Sequence, residues 1–391
     1  MAFRRKKDTA VTAEQVEQSV APAMRVAAAW SWRFLVVAAA VALVGFVVTL
    51  LRDVAVPVFV AILLAALLVP LSNWLQRHRW PKALAVAVCE LGVLVVIGGL
   101  VTVIVITVRS GLPELQRQTA AKFDSFVDFL GADPFNLSKK DITKYVDQAV
   151  ASVQNDSSGL LSGALSLGTT AGHVLAGALI ALFTTLFILI DGRGMWRWIV
   201  RLFPVRARAA IMGAGEAGWI TLTTFVKVQI FVAFVDAVGI GLGAFLLGVF
   251  VGQPFPLVIP IAIAVFLGSF IPVVGAVATG IFAVFVALIY LGPIPALFML
   301  GIVVLVQQLE GHVLQPFVMG NAVKVHPVAV VLSVATGGFV AGIPGALFAV
   351  PLVAMLNVMI TYIARGDWRL HPHPRVSDVL PLSKGSVARV D

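Results

Sequence analysis

The residues that could do chemistry here are polar groups stranded among apolar ones. Gln307, Gln308, Glu310, His312 and Gln315 follow a run, 296–306, that carries no charge. Gln229 and Asp236 interrupt another apolar run, 219–251, together with Lys227. Charged and amide side chains are costly in such surroundings and usually mark a path for a solute or ion. Glu310, His312 and Asp236 are the groups that could exchange a proton or hold a cation. The amides of Gln229, Gln307, Gln308, Gln315 and Asn321 suit the hydroxyls of a neutral polar solute.

Helical geometry sorts these residues into faces. At about 100° per residue, Gln229 and Asp236 point within about 20° of each other, while Lys227 points the opposite way. Lys227 is expected to snorkel to the membrane edge. Asp236 shares its side with Gly239 and Gly243, a small-residue face suited to close helix contact. A carboxyl there must find a donor or hold a proton. In the later stretch, Gln308, His312 and Gln315 fall in an arc of about 60°, with Gln307 and Glu310 about 140° away around the axis. One face is expected to line water and the other to meet protein.

Two backbone interruptions flank that stretch. Phe270-Ile271-Pro272-Val273-Val274-Gly275 breaks one apolar segment just after Ser269, and Ala341-Gly342-Ile343-Pro344-Gly345 breaks another. Proline removes a backbone donor, so each break leaves polar groups that must be covered by protein or water. Paired interrupted segments point to a transport site. Ser269, Pro272, Gly275, Gly342 and Pro344 are therefore pathway candidates. The pattern fits a re-entrant hairpin and a discontinuous helix equally.

The elements that position these residues are membrane helices. Of 391 residues, 60% are hydrophobic and 12% charged, against roughly 25% charged in soluble domains. Apolar runs long enough to cross a bilayer recur. The fold expected is all-α, a polytopic helical membrane protein of about eight spans near 34–51, 54–74, 83–108, 172–190, 219–251, 254–290, 296–317 and 326–363. Residues 1–30 form a basic tail, 31–108 the first three spans, and 109–165 a small external helical domain. Residues 166–365 hold the transport core, and 366–391 a soluble, loosely ordered tail.

Charge orients this arrangement. Five arginines (193, 197, 201, 206 and 208) lie among Trp196, Trp198 and Phe203, an interfacial amphipathic pattern. With these, both tails and the 76–82 loop on one side, most of the 28 Lys and Arg share it. The positive-inside rule makes that side cytoplasmic, in a cell (inner) membrane. Glu90 lies about two turns into the third span and is expected to pair with the 76–82 loop. The net charge of +9 sits at membrane edges and does not suit nucleic acid. The single cysteine, Cys89, reads as a packing residue.

No H-E-x-x-H or G-x-S-x-G signature occurs, and no phosphate loop, so an enzyme is not expected. Neither a cofactor nor a metal site is expected. The partners expected are membrane lipids, a small solute or monovalent cation, and a second copy of the chain. A scaffold that recruits proteins without transporting anything is the reading from another class.

Several motifs together resemble a known family. They are Phe270-Ile-Pro-Val-Val-Gly275, Gln308-Leu-Glu-Gly-His-Val-Leu-Gln-Pro316, Val318-Met-Gly-Asn321 and Gly345-Ala-Leu-Phe-Ala-Val-Pro351. With three spans, an external domain and five further spans, residues 30–365 resemble the autoinducer-2 exporter family of permeases, also called PerM-like. The Lys227-Val-Gln229 step is similar to the family's basic-x-Gln position, with valine where glycine is common. The resemblance implies an integral inner-membrane transporter that exports autoinducer-2. Other members are sodium/proton antiporters, and homo-oligomers fit the family.

Overall fold

The structure is a computed structural model that describes residues 22–100, 102, 103, 106, 172, 175–253, 255, 257–271, 274–314 and 327–379. The expected external domain at 109–165 lies outside the described residues, as do Pro272, Gln315 and Asn321. The chain divides into two compact units, residues 1–55 and 56–391. In the first, α1 (Pro22–Leu50) is a 29-residue helix with apolar residues on all sides. Among the described residues there are only helices and turns. Seven helices among the described residues are long and apolar enough to cross a membrane, which makes this an integral membrane protein.

In the second unit, α2 (Arg52–Arg77, from Val56 on) buries Pro57, Ala61, Ala65, Ala66, Leu68 and Ser72. That row of small residues lets α4 (Leu175–Arg201) come close enough for Thr185 Oγ1 to reach the Ala61 carbonyl at 3.4 Å. Leu68, Val86, Cys89 and Leu189 form the core between α2, α3 (Lys82–Leu100) and α4. Cys89 is thus a packing residue. The Lys82 ammonium donates to the Ile190 carbonyl, tying the start of α3 to α4. Glu90 makes no ion pair among the described residues, and its Oε1 is buried without a hydrogen-bond partner. The expected pairing with the 76–82 loop fails because the carboxyl turns into the bundle.

The axis of this unit is α5 (Val205–Val251), 47 residues and about 70 Å long. Pro204 precedes it, and Gly252, in the left-handed conformation at φ 69°, ends it. A hydrocarbon core is only about 30 Å thick, so α5 must tilt and extend beyond it. Glycines along α5 set the register of its neighbours. A side chain on Gly239 would meet Val306 at 3.0 Å, and one on Gly241 would meet Ala262 Cβ at 2.9 Å. One on Gly218 would meet Met355 and Met359 at 2.9 Å.

Those neighbours are α6 (Val258–Gly268), α7 (Val274–Leu291), α8 (Pro293–Leu309) and α9 (Pro327–Arg365). The 254–290 segment, expected as one span, is two helices folded on each other. At 11 residues, or about 16 Å, α6 is too short to cross. Its return is closed at Gly268 and Gly275, where a Cβ on Gly275 would overlap the Gly268 carbonyl. α9 also reverses. Ala341 and Gly342 leave helical geometry (Gly342 φ 62°, ψ −147°), and the backbones of Gly337 and Gly345 close the two arms in the same way. Both Ile-Pro breaks are therefore the tips of helical hairpins.

The end of the chain is more ordered than its polar sequence suggests. After Gly366, a 3-10 turn (Asp367–Arg369) and α10 (Val376–Val379) fold back over α5. Trp368 and Val379 pack with Ala214, Ala217 and Tyr362. His373 Nδ1 stands 3.2 Å from Glu216 Oε2, and Tyr362 donates its hydroxyl to the His371 carbonyl. The loosely ordered tail expected from residue 366 is, up to Val379, a docked segment, because two apolar side chains, Trp368 and Val379, find a groove.

Candidate functional site

The first hairpin sets its tip against the middle of α5. Gln229 and Asp236 are seven residues apart, two helical turns, and so point the same way. Both reach Ser269, the last residue before the break. Gln229 Nε2 donates to the Ser269 carbonyl at 2.6 Å, which satisfies a backbone acceptor that the end of α6 leaves without a helical partner. Ser269 Oγ stands 3.1 Å from Asp236 Oδ2 and 2.8 Å from the Val265 carbonyl. Asp236 is 1% exposed, and its Oδ1 has no hydrogen-bond partner among the described residues. Lys227 is exposed and takes no part.

This geometry carries a proton count. The Ser269 hydroxyl has one hydrogen and stands within reach of two acceptors. A proton on Asp236 Oδ2 would let the carboxyl donate to Ser269 Oγ while Ser269 donates to Val265. An ionised Asp236 would compete with Val265 for that one hydrogen. A buried charge with one shared donor is costly, so the pair is sensitive to any movement of the hairpin.

The surroundings are dry on one side. Ile271, at the tip, packs against an apolar cluster of Phe225 from α5 with Val334 and Val350 from α9, which Val330 and Ala346 also join. The second break is placed differently: Gly342, Ile343 and Pro344 are exposed. Gly275 serves the hairpin closure. The two breaks thus share a design but not a location, since only the first faces α5 with polar groups.

The polar stretch after α8 begins as α-helix and passes into a π turn, Glu310–Leu314. Wider turns of this kind frequently occur at functional sites. Gln307 and Glu310 are half-buried, while Gln308 and His312 are exposed. His312 Nδ1 lies 3.2 Å from the Gln308 carbonyl, its own helix backbone. α8 runs antiparallel to α5, with Val306 against Gly239 and Ile302 against Gly243. Extending that register by one turn brings Glu310 to the height of Asp236. Glu310 and Asp236 therefore share a level on adjacent helices.

Known proteins share this arrangement of sequence. The model of the AI-2E family transporter matches residues 34–365. The chain belongs to the AI-2E transporter family. It is 40% identical over 363 residues to "Putative transport protein MT0215" of Mycobacterium tuberculosis (strain CDC 1551 / Oshkosh), covering 93% of this chain and 96% of that one. The AI-2 transport protein TqsA of Escherichia coli (strain K12) is 23% identical over 317 residues, 81% of this chain and 88% of TqsA. A Bacillus subtilis (strain 168) relative, YrrI, is 23% identical over 334 residues, 81% and 88% of the two chains. Membership in the AI-2E family makes this chain a membrane permease by class.

Ser269 is the residue whose weight sequence reasoning underestimated. It was legible as a pathway candidate beside the break, but its partners lie 33 and 40 residues away. Gly268 and Gly337 were missed outright. The available signal was a glycine seven or eight residues before each post-proline glycine, the spacing a tight helical hairpin needs.

Proposed function

We propose that this protein is a secondary permease that exports a small polar solute, coupled to a proton or cation at Asp236. The observation that supports it is the Ser269 hydroxyl, set between the Asp236 carboxyl and the Val265 carbonyl at a hairpin tip. Movement of the tip away from α5 would take from Asp236 its hydrogen-bond partner and open it to water. A proton held at Asp236 in the closed state would then be released or exchanged. Gln229, Gln307 and Gln308 supply amides for a hydroxyl-rich solute, and the name of TqsA supports autoinducer-2 as the first solute to test.

A monovalent cation (sodium)/proton antiporter is the second reading, favoured by the unpartnered Oδ1 of Asp236. In both, the termini and the arginine-rich α4–α5 turn face the cytoplasm across the inner membrane, as the basic bias indicates. The test is flux into proteoliposomes of the purified protein. Autoinducer-2 movement that follows an imposed pH gradient, and loses that dependence in Asp236→Asn, supports the lead reading. Sodium-driven proton movement abolished by Asp236→Asn supports the second. If neither solute nor ion moves, transport by this chain alone is refuted and a scaffold gains.

A further inference from the structure

The α4–α5 turn combines charge and apolar surface in a way that the permease core does not use. On α4, Phe183, Phe187, Trp198 and Leu202 lie within an arc of about 100°. They are 59%, 58%, 63% and 70% exposed, and between Phe187 and Trp198 the same arc holds Asp191 and Gly194. Arg193, Arg197 and Arg201, at four-residue spacing, occupy the adjoining arc of about 80° and are exposed. The one acid between residues 191 and 208, Asp191, accepts from the Gly194 N–H at 3.1 Å and is turned onto its own helix.

The turn itself is fixed. Arg208 donates through Nε to the Phe203 carbonyl at 3.0 Å and through Nη2 to the Arg201 carbonyl at 2.9 Å, closing the end of α4. Trp196 packs its ring on Gly215 of α5, where a Cβ would overlap the indole. A soluble protein would not present Trp198, Leu202 and Val205 as a contiguous exposed patch without a partner for it.

We propose that this turn is a binding site for anionic phospholipid in the leaflet on the basic side of the bilayer. Trp198 and Leu202 enter the edge of the hydrocarbon, and Arg193, Arg197 and Arg201 hold headgroup phosphates. Arginine suits this role because its planar fork binds phosphate oxygens in pairs. Since α4 leads directly into α5, the site anchors the α5 axis against which the hairpins pack. The inference is independent of the solute carried.

Quenching by brominated lipid tests it in vesicles of defined composition. The Trp198 component is the difference between wild type and Trp198→Phe. It should be quenched several-fold more by brominated phosphatidylglycerol than by brominated phosphatidylcholine. The preference should vanish in the triple variant Arg193→Gln, Arg197→Gln, Arg201→Gln and persist in Arg206→Gln, which lies beyond the arc. If the triple variant does not fold, Arg197→Gln and Arg201→Gln should each reduce the preference singly. Equal quenching by both lipids would mean burial without headgroup recognition and would overturn the site. Absence of quenching would place the turn in water and overturn it as well. Added inorganic phosphate should leave the preference unchanged, and competition by it would overturn phospholipid as the ligand.

Discussion

Replacing Gly275 by alanine should open the first hairpin and take the Asp236 cluster with it. A Cβ at residue 275 would lie 3.1 Å from Gly268 Cα and overlap the Gly268 carbonyl. To restore an ordinary contact the arms must part by roughly 2 Å. Ser269 follows Gly268 directly. Its carbonyl is 2.6 Å from Gln229 and its hydroxyl 3.1 Å from Asp236, and hydrogen bonds weaken beyond about 3.2 Å. A shift of that size breaks both. Overpacking costs about 1–3 kcal/mol, and each lost hydrogen bond about 0.5–1.5 kcal/mol, for a total near 2–6 kcal/mol. The control is Gly301→Ala in α8, where nothing lies within 4 Å of the added methyl. Helix propensity makes that change neutral or stabilising by up to about 1 kcal/mol. Thermal unfolding of the detergent-purified proteins, with flux measured in parallel, compares the two. Gly275→Ala should melt several degrees lower and lose flux, while Gly301→Ala should do neither. An unchanged melting temperature and flux in Gly275→Ala would show that the hairpin closure is not what holds Ser269 in place.

Gly345→Ala should destabilise to a similar extent, since its Cβ would overlap the Gly337 carbonyl and lie 2.9 Å from Ala341 Cβ. Because that tip carries no polar cluster, the flux it retains should exceed that of Gly275→Ala at equal melting temperature. Gly213→Ala would press on the Tyr362 hydroxyl at 2.5 Å and should release residues 366–379 to protease without unfolding the bundle. Glu216→Gln should loosen the same segment less, since only the His373 contact is lost, and hydrogen exchange at 371–379 would register it. The Arg375 backbone N–H holds the Asp378 carboxyl below its usual value, with Ser377, His371 and Arg375 adding to this against slight desolvation. A lowered value means that the α10 cap is complete above about pH 4 and is lost as pH falls through it. Protection of the Arg375 amide, relative to its intrinsic exchange rate, should fall over that range in wild type and be absent at every pH in Asp378→Ala.

Local periodicity made much of this legible. The bilayer-length apolar runs gave the helical membrane class, and the seven-residue interval set Gln229 and Asp236 side by side. Long-range partners were beyond its reach. An Ile-Pro-Gly break fits a hairpin or a kink equally, and the decision lies in backbone contact between Gly268 and Gly275, which hydropathy does not register. Glu90 misled because its distance along the helix from the basic loop was right, while its rotation about the axis was not. The tail misled because its His-Pro-His-Pro-Arg run reads as solvated, whereas Trp368 and Val379 on either side of it pack with Tyr362, Ala214 and Ala217.

The positions of the two hairpins along α5 constrain how the protein can work. α6 descends from the C-terminal end of α5, with Phe255 near Gly248 and Ala262 near Gly241, and stops at Gln229–Asp236. The second arm of α9 lies antiparallel on the N-terminal half, with Val350 in the Phe225 cluster and Tyr362 against Gly213. The hairpins thus approach the middle of one helix from opposite ends, and Ile271 of the first packs against the cluster that Val334 and Val350 of the second form with Phe225. Withdrawal of either alone would uncover a different end of the same site. If transport alternates by such withdrawals, enlarging the shared apolar contact should couple them more tightly. Val334→Phe, at 6% exposure, would overfill that contact and should slow flux while leaving proton or cation affinity at Asp236 unchanged. Loss of affinity with unchanged turnover would instead make the Ile271 contact part of the binding site.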